Sequence, residues 1–321
     1  MVLFSHRGGR CIPGTIGEVA REEGIDNCPT PTENGQTCGK RRVGAKVRGA
    51  DLLIKCLEAE GVRYIFGVPG EEILDILDAL HGSSLTFLPT RHEQGAAFMA
   101  DVQGRLTGKA GVCLATLGPG ATNLSTGIAD ATLDHAPLVA LTGQAGRDRH
   151  HKESHQYIDT VEHFRPITKW SARVEMARIL PEIVRKAFKT AQSEKPGACH
   201  LEISEDVAAE ETTESPLRGE RPRRPSPDRL SLRRAAELIE DASYPLLFVG
   251  NGTVRGRASS ALQAFAEKTG IPVVTTFMAK GCLPADHELS LMTAGLQARD
   301  YVSFGFDQAD LIITAGYDPV E

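Results

Sequence analysis

The stretch AGVCLATLGPGATN, residues 110–123, decides how the chain is read. Ala110 to Leu117 is a short apolar run, the pattern of a strand buried on both faces. Gly118-Pro119-Gly120 interrupts it, and a helical spacing begins at Thr122 and runs to Leu133. A strand, a glycine-rich turn and a helix in succession make a β-α unit. Glycines at such a turn let a ligand approach the backbone, and the helix that follows offers free N–H groups. Taken alone, a G-P-G is a weak signal that a plain tight turn accounts for.

The same alternation extends outward in both directions. Before this stretch the spacing predicts a helix over 50–60 ended by Gly61, a strand over 64–68, a helix over 71–81, a strand over 85–88 and a helix over 93–106. After it come a strand over 138–142, an irregular stretch, a short strand near Ile167, a helix over 178–192 and a strand over 199–203. Repeated β-α units of this size imply a parallel sheet covered by helices on both faces, with ligands beyond the carboxyl ends of the strands. The loops at 67–70, 90–93, 116–120 and 143–156 are therefore the places to look for chemistry.

Residues 212–230 hold four prolines among arginines and read as an interdomain linker. A second α/β pattern follows: helices over 232–240 and 262–268, strands over 246–249, 273–275 and 311–314. The expected organisation is an α/β chain of two doubly wound parallel-sheet domains, 47–211 and 231–321, the second truncated at its C-terminus. Residues 1–46 have no sustained period and are read as a disordered or spurious N-terminal extension.

Composition excludes several classes. The chain has 321 residues, 41% of them hydrophobic, and a net charge of −6, so there is no basic footprint for nucleic acid. No apolar run reaches the roughly 18–20 residues of a membrane span, and no secretory h-region opens the chain. Glu18, Glu22, Glu23 and Asp26 argue against a transit peptide, so a cytoplasmic protein without membrane contact is expected. The seven cysteines form no C-x-x-C pair. Cys56, Cys113 and Cys199 fit core thiols, whereas Cys11, Cys28 and Cys38 lack the spacing of a zinc site.

Among candidate residues Glu93 is the sharpest. It follows a strand, within Thr90-Arg91-His92-Glu93, where Thr90 and Glu93 also fit a helix capping box. Gly67-Val68-Pro69-Gly70 is a second post-strand turn. Thr142-Gly143-Gln144 is followed by a run holding His150, His151 and His155, which reads as a solvated loop rather than a metal site. Gly250-Asn251-Gly252 lacks the full spacing of a dinucleotide loop, which counts against an NAD- or flavin-dependent oxidoreductase.

Taken together and in order, FGVPG at 66–70, RHEQGAA at 91–97, GPGATN at 118–123 and LTGQ at 141–144 resemble the pyrimidine-binding domain of thiamine-diphosphate enzymes. Asp130-Ala131 and Pro137-Leu138 are similar to acetolactate synthase large subunits in particular. The resemblance spans about residues 47–321 and is most specific over 47–210. It implies that Glu93 hydrogen-bonds the cofactor's pyrimidine ring and favours its imino tautomer. It places Val68, Pro69, Gly70, Thr116, Pro119 and Asn123 around the same pocket and Gln156 near the reacting carbon, with Glu93 and Gln156 as the catalytic pair. It further implies decarboxylation of pyruvate and transfer of the two-carbon unit to a second 2-keto acid, with thiamine diphosphate as electron sink. His155 before Gln156 is similar to the flavin-independent members, so FAD is not expected.

The departure from the family is the absence of a G-D-G motif, which in relatives belongs to a third domain that holds Mg²⁺ and the diphosphate. The expectation is therefore a fragment without activity of its own, whose full-length form is a homodimer or homotetramer. Another carboligase or acetyltransferase of the superfamily, and a non-catalytic partner-binding truncation, stay open as alternatives.

Overall fold

The computed structural model describes residues 2–5, 45–220, 222, 224–295 and 301–319. They fall into two compact units, divided between residues 224 and 225, with the N-terminal strand β1 (Val2–Ser5) belonging to the second.

The first unit opens with β2 (Val47–Arg48) and α1 (Gly49–Ala59), then β3 (Tyr64–Gly67), α2 (Leu74–Leu80), β4 (Thr86–Pro89) and α3 (Glu93–Thr107). There follow β5 (Gly111–Ala115), the single turn α4 (Pro119–Thr122), α5 (Ser125–Leu133), β6 (Leu138–Gln144) and α6 (Thr160–Phe164). β7 (Trp170–Val174), α7 (Leu180–Gln192), β8 (Ala198–Ser204), α8 (Glu205–Ala209) and β9 (Glu211–Thr212) complete it. Six strands form one parallel sheet in the order β4-β3-β5-β6-β8-β7.

Alternation along the strands divides the core in two. Val112 and Leu114 of β5 join Val139 and Leu141 of β6 under α1, α2 and α7. Cys113, Ala115, Leu138 and Ala140 face the other way, under α3 and α5. Both faces are covered, so the strands read as continuous apolar runs. The helices are amphipathic in step: α7 buries Val184, Ala187, Phe188 and Ala191 and turns its lysines outward. α3 and α5 approach so closely that a Cβ on Gly127 would lie 2.6 Å from that of Ala97.

The winding reverses at β3. The chain passes from β3 to β4 on one side and then to β5 on the other. The loops after β3 and β5 therefore stand side by side at the carboxyl edge, the place where open α/β sheets bind ligands.

The second unit contains α9 (Arg229–Asp241), β10 (Pro245–Val249), α10 (Asn251–Arg255), α11 (Ser259–Thr269), β11 (Val273–Thr275), β12 (Ser290–Thr293), α12 (Ser303–Gln308) and β13 (Leu311–Ala315). Its sheet runs β1-β13-β10-β11-β12, parallel except for β1, with apolar clusters on both faces. The α/β class and the paired doubly wound sheets are those expected from the sequence.

Three local features differ. The strand expected near Ile167 is β7, three residues later, because Pro166 lies in a 3-10 turn over Arg165–Ile167 and has no N–H to give a ladder. The helix expected over 122–133 is split into α4 and α5. Of the stretch 1–46, expected to be disordered or spurious, only 2–5 and 45–46 are described; Val2–Ser5 pairs antiparallel with Leu311–Thr314, and Cys11, Cys28 and Cys38 lie outside the described residues.

Candidate functional site

Glu93 opens α3 directly after the loop that leaves β4. The capping box expected from Thr90 and Glu93 does not form. The N-cap is His92, whose Nδ1 accepts the N–H of Gln94 at 3.1 Å. Thr90 lies two residues before the cap and donates its hydroxyl to the carbonyls of His92 and Gly67. Glu93 is thus the first helical residue, and its carboxylate is released from capping. One oxygen, Oε2, accepts from Asn123 Nδ2 at 3.0 Å.

Asn123 ends α4, so the pair joins the loop after β4 to the loop after β5. The latter loop is built for close approach. A Cβ on Gly120 would lie 2.8 Å from Thr116 Cγ2 and 3.5 Å from Glu93 Oε1. Gly118 has φ +54°, and a Cβ there would lie 2.3 Å from the carbonyl oxygen of Gln156. Only glycine meets both demands at 118. Gly120 therefore packs on Thr116 beside Glu93, and Gly118 on the backbone of Gln156.

Thr116 leaves the β5 ladder and donates its hydroxyl to Glu72 Oε2 at 2.7 Å. Glu72 sits in a 3-10 turn directly after Gly70. Sequence reasoning passed it over, because two acids in a first helical turn are ordinary. Val68 is half-buried, while Pro69 and Pro119 are exposed on the same two loops. The geometry thus gathers Glu93, Asn123, Thr116, Gly70 and Glu72 around one cleft.

Gln156 reaches that cleft through its backbone, against Gly118, with its side chain exposed. It is a non-glycine residue at φ +54°, a conformation held only where surroundings over-determine it. The surroundings are visible. Gln144 at the end of β6 donates to the Ile158 carbonyl at 2.9 Å and to Glu202 at 3.1 Å. Glu202, fully buried, also takes the hydroxyl of Thr160 and the guanidinium of Arg173. Tyr157 stacks on His150, whose Nε2 meets the Ala145 carbonyl. Gln144 of the LTGQ motif is therefore a bracket for the 145–159 segment, its carbonyl taken by the Ala145 N–H. An acid within the apolar run of β8 was the available signal for Glu202.

Three thiols, Cys56, Cys113 and Cys199, are pushed up to about 12 by burial and are inert core groups. Among the described residues no three His, Cys, Asp or Glu side chains are placed to hold a metal ion. No helix of the described residues is long and apolar enough to cross a membrane. Gly250 and Gly252 pack against the backbone of Gly316, which accounts for glycine at both positions without a nucleotide.

Residues 47–163 match the thiamine pyrophosphate enzyme N-terminal TPP binding domain, and residues 232–320 match the central domain of the same enzymes. A probable acetolactate synthase large subunit of Methanocaldococcus jannaschii is 40% identical over 278 residues, covering 84% of this chain and 47% of the relative. The acetolactate synthase of Bacillus subtilis is 38% identical over 280 residues, covering 86% and 49%. A chloroplastic acetolactate synthase of Nicotiana tabacum is 39% identical over 277 residues, covering 84% and 41%. The chain thus spans about half the length of the curated relatives it matches. With both domain matches in chain order and relatives near 40% identity named acetolactate synthase, the chain belongs to the thiamine pyrophosphate enzymes, as the N-terminal and central domains of an acetolactate synthase-type large subunit.

Proposed function

We propose that this chain supplies the pyrimidine side of a thiamine-diphosphate site, in a protein that decarboxylates pyruvate and passes the two-carbon unit to a second 2-keto acid. The observation that carries the reading is the cleft at the β3/β5 switch point, where Asn123 holds Glu93 beside Gly120. Its donor set fits the group. The Asn123 amide donates one N–H to Glu93 Oε2 and the Thr116 hydroxyl donates to Glu72, which leaves Glu93 Oε1 able to accept from a ligand. An aminopyrimidine ring, with its amino group and a ring nitrogen able to carry a proton, supplies matching N–H groups.

When bound, thiamine diphosphate supplies the electron sink for decarboxylation. The protein's part is to bind and orient. Glu93 accepts a proton-bearing ring nitrogen and Asn123 keeps the carboxylate from rotating. Gly118 and Gly120 let Gln156 and Thr116 pack directly on the loop after β5 beside Glu93. Gln156, held by the Gln144–Glu202 bracket, offers an amide at the rim to the substrate's oxygen atoms. Mg²⁺ and the diphosphate are assigned to protein outside this chain, and FAD is not required.

The same reading includes a homodimer. An apolar groove of about 510 Å³ on α3, lined by Phe66, Phe98, Met99, Val102 and Leu106, supports a second copy at this face. The test is calorimetric titration with thiamine diphosphate and Mg²⁺, for the wild type and Glu93→Gln. Because the diphosphate and Mg²⁺ are assigned to protein outside this chain, no more than weak binding is expected from the wild type, and about tenfold less from the variant, the scale of a charge-assisted hydrogen bond. Equal binding by both proteins would sink the assignment of Glu93.

A further inference from the structure

Gln156 lies in an exposed stretch, with His151, Lys152, Glu153 and His155 exposed beside it, yet its backbone stands on Gly118 at a left-handed φ of +54°. Two sets of interactions tie the segment 145–159 to the rest of the unit. On its flank Arg147 pairs with Asp206 at 2.6 Å and Arg149 with Glu205 at 2.7 Å. Both pairs are open to solvent, so water and salt leave them weak. The other set is buried. Glu202 on β8 lies between Thr142 of β6 and Arg173 of β7, with 0% exposure. Its Oε1 takes the guanidinium of Arg173, and its Oε2 takes the amide of Gln144 and the hydroxyl of Thr160. The Gln144 amide also donates to the Ile158 carbonyl at 2.9 Å, two residues past Gln156, and Thr160 opens α6 just beyond. A carboxylate accepts at both oxygens and opposes none of these donors.

We infer that Glu202 is a positioning residue for Gln156: its carboxylate aligns Gln144, Thr160 and Arg173, and through the first two it fixes the segment that carries Gln156 against Gly118. The inference rests on the thiamine reading for the role of Gln156 and deepens it. In Glu202→Gln one donor always faces an amide N–H. If the new amide oxygen meets Arg173, its nitrogen meets Gln144; if the oxygen meets Gln144, the nitrogen meets Arg173. Adding Arg173→Met lifts that conflict, because the oxygen then serves Gln144 and Thr160 alone. The contact of Arg173 with Asp159, at 4.0 Å, is open to solvent and weak. An ion pair that served only the stability of the sheet would leave the double variant no better ordered at 145–159 than the single one.

The test is hydrogen–deuterium exchange of the full 321-residue chain, read by mass spectrometry without any ligand. The amides of Arg149, Lys152 and Tyr157 are hydrogen-bonded within the segment and report its order, with α7 as the reference. In Glu202→Gln, exchange at 145–159 is expected to speed up about tenfold, the scale of one hydrogen bond lost, with α7 unchanged. With Arg173→Met added it should return to within about threefold of the wild type. Gln144→Met, which spares the ion pair, should speed the segment as Glu202→Gln does, and it carries the test if Glu202→Gln fails to fold. Unchanged exchange at 145–159 in a folded single variant, a rise spread equally over α7, or a double variant as fast as Glu202→Gln overturns the role of Glu202. None of these outcomes bears on Glu93, whose assignment stands or falls on the titration above.

Discussion

At the scale of single residues, Glu93 can be read as a cap or as a ligand contact, and the structure gives the cap to His92. His92 caps α3, so Glu93 contributes little to helix stability. Glu93→Gln should change unfolding free energy by less than about 0.5 kcal/mol, whereas His92→Ala should cost about 1 kcal/mol, both read from urea denaturation. The reverse order would return the capping role to Glu93. Lys169 illustrates the same economy elsewhere: its ammonium donates to the carbonyls of Thr190, Ser193 and Lys195, closing the C-terminal end of α7. Burial lowers its pKa, and three carbonyl dipoles are what keep the charge tolerable.

At the scale of elements, Glu93 and Asn123 meet only if α3 and α5 hold their register. Arg105 sets it. Its guanidinium binds Asp101 one turn back on α3 and reaches across to Asp130 and Asp134 on α5. Asp101 is 2% exposed, so removing its partner strands a buried carboxylate. Arg105→Met should therefore destabilise the protein by about 3 kcal/mol, and adding Asp101→Asn should recover a part of that loss. Equal destabilisation in the single and double variants would mean that the charge of Asp101 is not the issue. Asp130, legible in the sequence only as part of a resemblance, acquires here a physical task.

At the scale of the whole molecule, two buried groups give acid stability opposite signs. His200, sealed between Thr142, Ser171 and Phe164, is pushed down to about 3 by burial. Its contribution is complete above the unfolded value near 6.5 and is lost as pH falls toward 3, by roughly 2 kcal/mol at pH 5. Asp101 is pushed up to about 6, chiefly by burial. Its contribution is complete below about 3.8 and is lost as pH rises through 6, so at pH 5 it regains roughly 1 kcal/mol relative to pH 7. Chemical denaturation at pH 7 and pH 5 should show Asp101→Asn losing more stability on acidification than the wild type, and His200→Gln losing less. Parallel shifts in all three proteins would refute the opposition.

The alternation of strands and helices was readable because each element must bury its own face: period-free apolar runs such as 111–115 and spaced ones such as 180–192 reflect local demands. The glycine turn at 118–120 and the acid at 93 were visible for the same reason. Boundaries near Pro166 and Thr122 were not, since competing turns differ by little. Glu72 escaped notice because its partner lies 44 residues away, and the bracket at Gln144 because Glu202 lies 58 residues away. The sequence by itself determined the fold class and the post-strand loops in which the candidate residues lie. Only the tertiary structure decided which of them meet, because the reversal of winding at β3 places the loops after β3 and β5 side by side, and no local pattern encodes that adjacency.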